Sequence, residues 1–140
     1  MTISPPIQLL VALWSLWQSL AADGAARLRE ESGLDLKEFI AAGYLQSRAY
    51  SPAELAVDLQ MPRYEVSRLL GSLEEKGFVQ RTRGLSDRRQ VVVELTASGL
   101  AAWQQGLKTA EAVTEPYLSV LDRAKREDLI LTLAGLVRPT

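Results

Sequence analysis

The chain of 140 residues has no cysteine and no histidine. Without cysteine there are no disulfides, thiolate nucleophiles, zinc–sulfur sites or thiol-based redox sensing. Without histidine there is no imidazole acid–base chemistry, the commonest metal ligand is missing, and the usual pH switch is gone. Enzymatic chemistry is left to carboxylates, lysine, serine and tyrosine. These show no catalytic spacing, so neither an enzyme nor a cofactor is expected. Internal repeats, low-complexity tracts and a phosphate-cradling glycine loop are missing too. The longest apolar stretch, Ile7 to Ala22, lacks a basic flank, follows Pro5-Pro6 and is interrupted by Gln8, Ser15, Gln18 and Ser19. It is shorter than the roughly 20 apolar residues that span a bilayer. It reads as a buried helix, and a cytoplasmic protein with no membrane partner is the expectation.

What is present suits one globular domain, or one with helical extensions. Hydrophobic content of 47% is ample for a core, and 24% charged residues is ordinary. The net charge of −1 conceals segregation. Residues 63–89 carry seven bases (Arg63, Arg68, Lys76, Arg81, Arg83, Arg88, Arg89) against four acids, a local +3 in a frame of −4. Such a section is either a solvated surface or a face for a polyanion.

Periodicity places a first helix from Pro5 or Pro6 to about Glu31, with Leu9, Leu10, Leu13, Leu16, Trp17 and Leu20 at helical spacing and Trp14 beside them. A helix apolar over more than one face needs more than one packing partner, and in so small a chain another subunit is a candidate. Ser32-Gly33 ends it. A second helix follows the cap Asp35, with Phe39, Ile40, Tyr44 and Leu45 on one side. Ser51-Pro52-x-Glu54 is a capping box that opens a third, with Leu55, Ala56 and Leu59 inward. Gln60-Met61-Pro62 forms a turn. The fourth helix runs from about Arg63 to Lys76, with Val66, Leu69, Leu70 and Leu73 inward and Gly77 as its stop. Phe78–Thr82 and Val91–Leu95 read as antiparallel strands around a loop. Thr96 caps a fifth helix, which Pro116 should kink or interrupt. A sixth runs from about Ala124 to Val137.

Two constellations carry chemistry. In the third and fourth helices, Ala56, Met61 and Val66 occupy the crossing, post-turn and second-helix positions of a helix–turn–helix. Arg63, Tyr64, Ser67 and Arg68 then form the exposed N-terminal face of the helix that would enter a major groove. Arginine suits guanine O6/N7 and phosphate, while Tyr64 and Ser67 can reach phosphates or base edges. The plain alternative is a helical pair with a solvated face. Next comes the hairpin, with Arg83, Arg88 and Arg89 at or near its tip and Asp87 placed to hold one of them. A protruding arginine is drawn to a narrow minor groove. The plain alternative is a surface turn with an ion pair of little energetic value. A hairpin directly after a helix–turn–helix makes a winged helix: mainly α, with a small β-hairpin wing.

At this point the chain resembles the MarR family (multiple-antibiotic-resistance regulators) of dimeric winged-helix transcription factors. The resemblance rests on Asp87-x-Arg89-x5-Leu95-Thr96-x2-Gly99, which matches the family's wing signature at every specified position. Glu54-Leu55-Ala56 and Val66-Ser67-Arg68-Leu69-Leu70-x-x-Leu73-Glu74-x-Lys76-Gly77 back it, and the close match spans about residues 33–103. The resemblance implies a DNA-binding lobe over 33–98 and dimerisation helices over 5–31 and 97–138, in one winged-helix domain of 1–140. It implies double-stranded DNA and a second copy of the chain as partners. Arg63, Tyr64, Ser67 and Arg68 would read the major groove and Arg88 or Arg89 the minor groove, with Arg89 tied to Asp87. It also implies repression of nearby genes, and release by a small aromatic or anionic effector bound between the dimer helices and the DNA-binding lobe. Candidate effector contacts are Trp17, Arg27, Tyr44, Arg48 and Trp103, which combine aromatic walls with partners for a carboxylate.

There are departures. Gln60 stands where the family usually has glycine, and Pro62-Arg63-Tyr64-Glu65 replaces its more polar run. Glu65 near DNA would repel phosphate unless it accepts from a cytosine amine. A winged helix used only for protein interaction is therefore a rival reading, favoured by Glu65 and the acidic total and disfavoured by the arginine wing. A ligand-binding or enzymatic domain is a second rival, disfavoured by the missing histidine and cysteine.

Overall fold

A computed structural model describes residues 4–83 and 90–137. Six helices and one hairpin follow in the order α1 (Pro5–Ser32), α2 (Leu36–Leu45), α3 (Pro52–Leu59), α4 (Arg63–Glu75), β1 (Val79–Arg83), β2 (Val91–Leu95), α5 (Ala97–Leu118) and α6 (Arg123–Leu136). No helix among the described residues is long and apolar enough to cross a membrane.

The helix ends follow local chemistry. Gly33 closes α1 in the left-handed region, φ 79°, where its N–H donates to Arg29 O. Asp35 and Glu38 form a reciprocal capping box at the start of α2, and Ser51 and Glu54 form another at α3, each satisfying two backbone donors that a helix start otherwise leaves unpaired. Thr96 caps α5: its hydroxyl accepts from Gly99 N at 3.1 Å and donates to Gly77 O at 2.6 Å. Gly99 has to be glycine because a Cβ there would lie 2.0 Å from the Phe78 carbonyl oxygen.

β1 and β2 pair antiparallel from Val79 opposite Leu95 to Arg83 opposite Val91. Tyr50, just before α3, bridges to Val93 with N–H···O bonds of 3.0 and 2.7 Å in the two directions, which ties the hairpin to the helix–turn–helix. The core lies inside this lobe. Leu34, Leu55, Val66, Leu70, Leu73 and Val93 are completely or almost completely buried, with Leu45, Leu69 and Val79 around them.

Two expectations change. Pro116 lies inside α5, which continues to Leu118 before Ser119 caps it. A proline so near the C-terminal end removes one backbone donor in the last turns and leaves only two helical residues beyond it. The buried stripe of α2 is Glu38, Ala41, Ala42 and Leu45, with Ile40 exposed. Small residues face in because α2 and α5 approach closely: a Cβ on Gly106 would lie 2.7 Å from Phe39 Cδ2.

Candidate nucleic-acid interface

The spacing of α4 separates two faces. Val66, Leu69, Leu70 and Leu73 are buried, while Arg63, Tyr64, Ser67 and Arg68 are all exposed. Arg68 lies over the Tyr64 ring, 6.0 Å from its centroid. Neither Arg63 nor Arg68 forms an ion pair with any described residue, so both guanidiniums are available to an anion. Pro62 precedes α4 and supplies no side-chain cap, while Glu65 N and Val66 N both donate to its carbonyl oxygen at 3.1 Å.

Before α4, the turn is carried by Gln60 in the left-handed region at φ 54°, the single non-glycine residue with positive φ among those described. Met61 N donates to Ala56 O at 3.1 Å and closes the turn. Gln60 thus does the work of the expected glycine at a steric cost of roughly 1 kcal/mol.

The structure resolves the difficulty posed by Glu65. Its carboxylate accepts from Lys37 Nζ of α2 at 2.7 Å. That hydrogen bond, together with the carboxylate's charge, holds the Lys37 ammonium above its ordinary pKa of 10.5. The acid beside the exposed face of α4 is thereby matched by a cation. At the other end of α4 the buried carboxylate of Glu38 accepts from Lys76 Nζ at 2.7 Å and Ser72 Oγ at 2.9 Å, as well as from Asp35 N at 2.9 Å. Burial opposes its charge, but these bonds outweigh burial and hold the carboxyl below the ordinary 4.5. Neighbouring residues of α2 therefore grip both ends of α4. Neither contact was anticipated: 28 and 38 positions separate the partners, and no local pattern marks such pairs.

Arg83 is exposed at the last position of β1. Arg81 is turned back onto Glu74 at 2.7 Å. Asp87, Arg88 and Arg89 lie outside the described residues.

The five effector candidates do not converge. Arg27 binds Glu31 at 2.8 Å, and Arg48 stacks on Tyr50 at 3.6 Å and pairs with Glu54 at 3.3 Å. Tyr44 packs edge-on against Tyr50, and Trp103 lies against Gly43. Trp17 alone of the five lines a cavity of about 360 Å³, which α1, α2 and α5 enclose.

The MarR-family model matches residues 32–90, a stretch that begins at the end of α1 and takes in both constellations. Over these residues the chain is similar to the MarR family. The transcriptional regulator PrsX of Escherichia coli is 36% identical over 55 residues, 39% of this chain, and the match covers only 33% of the length of PrsX. The transcriptional repressor CouR, solved on a 23-mer DNA duplex, is 26% identical, with 96% of this chain and 93% of that one aligned at a TM-score of 0.81. The organohalide-sensing regulator RdhR in its 2,4-dichlorophenol-bound form shares the fold at a TM-score of 0.83 and 20% identity, over 96% of this chain and 80% of that one.

Proposed function

We propose that the protein is a transcriptional regulator that binds double-stranded DNA sequence-specifically as a homodimer and acts in the cytoplasm as a repressor. The observation that carries this is the exposed set Arg63, Tyr64, Ser67 and Arg68 on one face of α4, opposite a fully buried apolar face. Phosphate contacts supply most of the affinity, and arginine and polar contacts to base edges supply the specificity. Residues 33–98 act as the DNA-binding lobe, with Arg83, Arg88 and Arg89 of the wing toward the minor groove and Asp87 holding Arg89.

Segments 5–31 and 97–138 act as dimerisation helices. In support, Leu10, Trp14, Ile130 and Leu136 are each about 60% exposed or more, and no residue of α6 is buried. Apolar surface on this scale in one copy calls for a partner. Two-fold symmetry then calls for a pseudo-palindromic operator with half-sites about 10 bp apart. A small molecule in the cavity beside Trp17 releases the DNA; RdhR, a protein of the same fold, has been solved in a 2,4-dichlorophenol-bound form. The rival role as a protein-interaction module loses its main support, because Glu65 is paired with Lys37.

Fluorescence anisotropy with the DNA upstream of the protein's own gene and a scrambled duplex, across a salt series, tests this. Tight binding to the native duplex alone, with log K falling steeply against log salt, is expected. Binding indifferent to salt would sink the proposal. Arg89→Ala should weaken binding by more than about 1 kcal/mol with the fold intact, and a smaller loss would remove the wing from the interface.

A further inference from the structure

The cavity between α1, α2 and α5 is of small-ligand size, about 360 Å³. No residue on its wall carries a charge or a side-chain amide. Its polar side-chain atoms are the hydroxyls of Thr109 and Thr114 and the neutral indole nitrogen of half-exposed Trp17. The hydroxyl protons are already engaged, Thr109 Oγ1 with Gln105 O at 3.2 Å and Thr114 Oγ1 with Ala110 O at 2.8 Å. The carboxylate nearest this wall is already matched: Glu31 Oε1 lies 3.4 Å from Thr109 Oγ1, and Arg27 holds its other oxygen at 2.8 Å. The arginines that could have met a carboxylate are tied away, Arg27 to Glu31 and Arg48 to Glu54.

A carboxylate in this cavity would lose water and find no unpaired cation on the wall, whereas a neutral ring loses little on transfer. A hydroxyl that already donates still accepts, so one O–H on the ligand can be satisfied there. We infer that the cavity binds a neutral, predominantly apolar small molecule and rejects anions of the same shape. This narrows the effector of the regulator proposed above and rests on that proposal for its consequence at DNA. Leu36 and Phe39 of α2 form part of the wall. Between them in sequence, Lys37 holds Glu65 and Glu38 holds Ser72 and Lys76. An occupant that displaces Phe39 therefore shifts the element that grips α4 at both ends, and DNA and ligand oppose one another's binding.

Isothermal titration of the full chain with 2-naphthalenemethanol and with 2-naphthoate, one ring system in neutral and anionic form, tests the site without DNA. The alcohol should bind roughly tenfold more tightly or better. Ala110→Leu, which fills the cavity from α5, should abolish that binding while the urea midpoint holds, and Ala25→Leu fills it from α1 should the first variant fail to fold. Equal or tighter binding of the naphthoate overturns the neutral class. No binding of the alcohol, or binding that survives the filling variant, overturns the site. A filling variant that changes the oligomeric state instead assigns the cavity to a second copy and also overturns it. In the anisotropy assay, saturating alcohol should weaken DNA binding about fivefold or more. Unchanged affinity overturns the coupling through α2. Binding of the alcohol by a protein that binds no duplex leaves the site standing and removes the regulator function instead.

Discussion

The lobe from α2 to β2 and the helices that flank it treat apolar side chains in opposite ways. In the lobe, Leu34, Leu55, Val66, Leu70, Leu73 and Val93 are at most 1% exposed. In α1 every residue from Pro5 to Ser19 is exposed, and α6 buries nothing, although both are rich in leucine. The two regions also differ in how they are tied. Reciprocal caps, the Tyr50–Val93 bridge and the Glu38–Lys76 contact lock the lobe together, while α6 is joined to the end of α5 by Arg126 and Glu115, 3.3 Å apart. Identical side-chain chemistry is thus buried in the core in one place and left exposed in the other. Amphipathic periodicity alone does not distinguish these outcomes.

Leu70→Ala should lower the unfolding free energy the most, by about 3 kcal/mol, because it opens a cavity in a filled core. Leu131→Ala, at a side chain 71% exposed, should leave the unfolding of a single copy unchanged. Comparable losses in urea titrations of dilute protein would erase the contrast between the regions. Trp14→Ala should act on assembly, raising the dimer dissociation constant roughly thirtyfold, ~2 kcal/mol for a large aromatic at an interface. Sedimentation equilibrium reads this directly, and an unaltered constant would take α1 out of the interface.

Glu38→Gln should cost about 2 kcal/mol at pH 7, since it weakens charge-assisted bonds to a buried group. The carboxyl is held below its ordinary value in the folded state. Its contribution is therefore fully present above about pH 4.5 and fades as pH falls through the lower folded value. Urea midpoints of wild type and variant should then converge in acid, and a gap that widens there would contradict the assigned cause. Gln60→Gly should produce a small change, a gain of roughly 0.5 kcal/mol in thermal unfolding, as relief of the left-handed strain exceeds the added backbone entropy of the unfolded chain. A lower melting temperature would show that the Gln60 side chain contributes packing of its own.

Much of the lobe was legible because its signals are local. Asp35 and Ser51 mark helix starts within four residues, Gly77 marks a stop, and the period of α4 alone separates Arg63, Tyr64, Ser67 and Arg68 from its buried face. Tertiary contacts were not legible. Lys37–Glu65 and Glu38–Lys76 join positions far apart in the chain, and the cavity is lined largely by alanine, glycine and leucine, which carry no sequence mark. Arg27 and Arg48 looked available as anion partners because charge in a sequence says nothing of a neighbour. In the fold both are held by acids four and six residues away. Pro116 does not interrupt α5, because the cost of a helical proline depends on how much helix follows it, and here two residues do.

Hydroxyl-radical footprinting of the upstream DNA tests the proposed roles of the two regions together, the lobe covering bases and the flanking helices setting how many lobes arrive. The account predicts two protected patches, one per copy of α4, centred about 10 bp apart on a pseudo-palindrome. A single patch, or protection without preference for sequence, would contradict it.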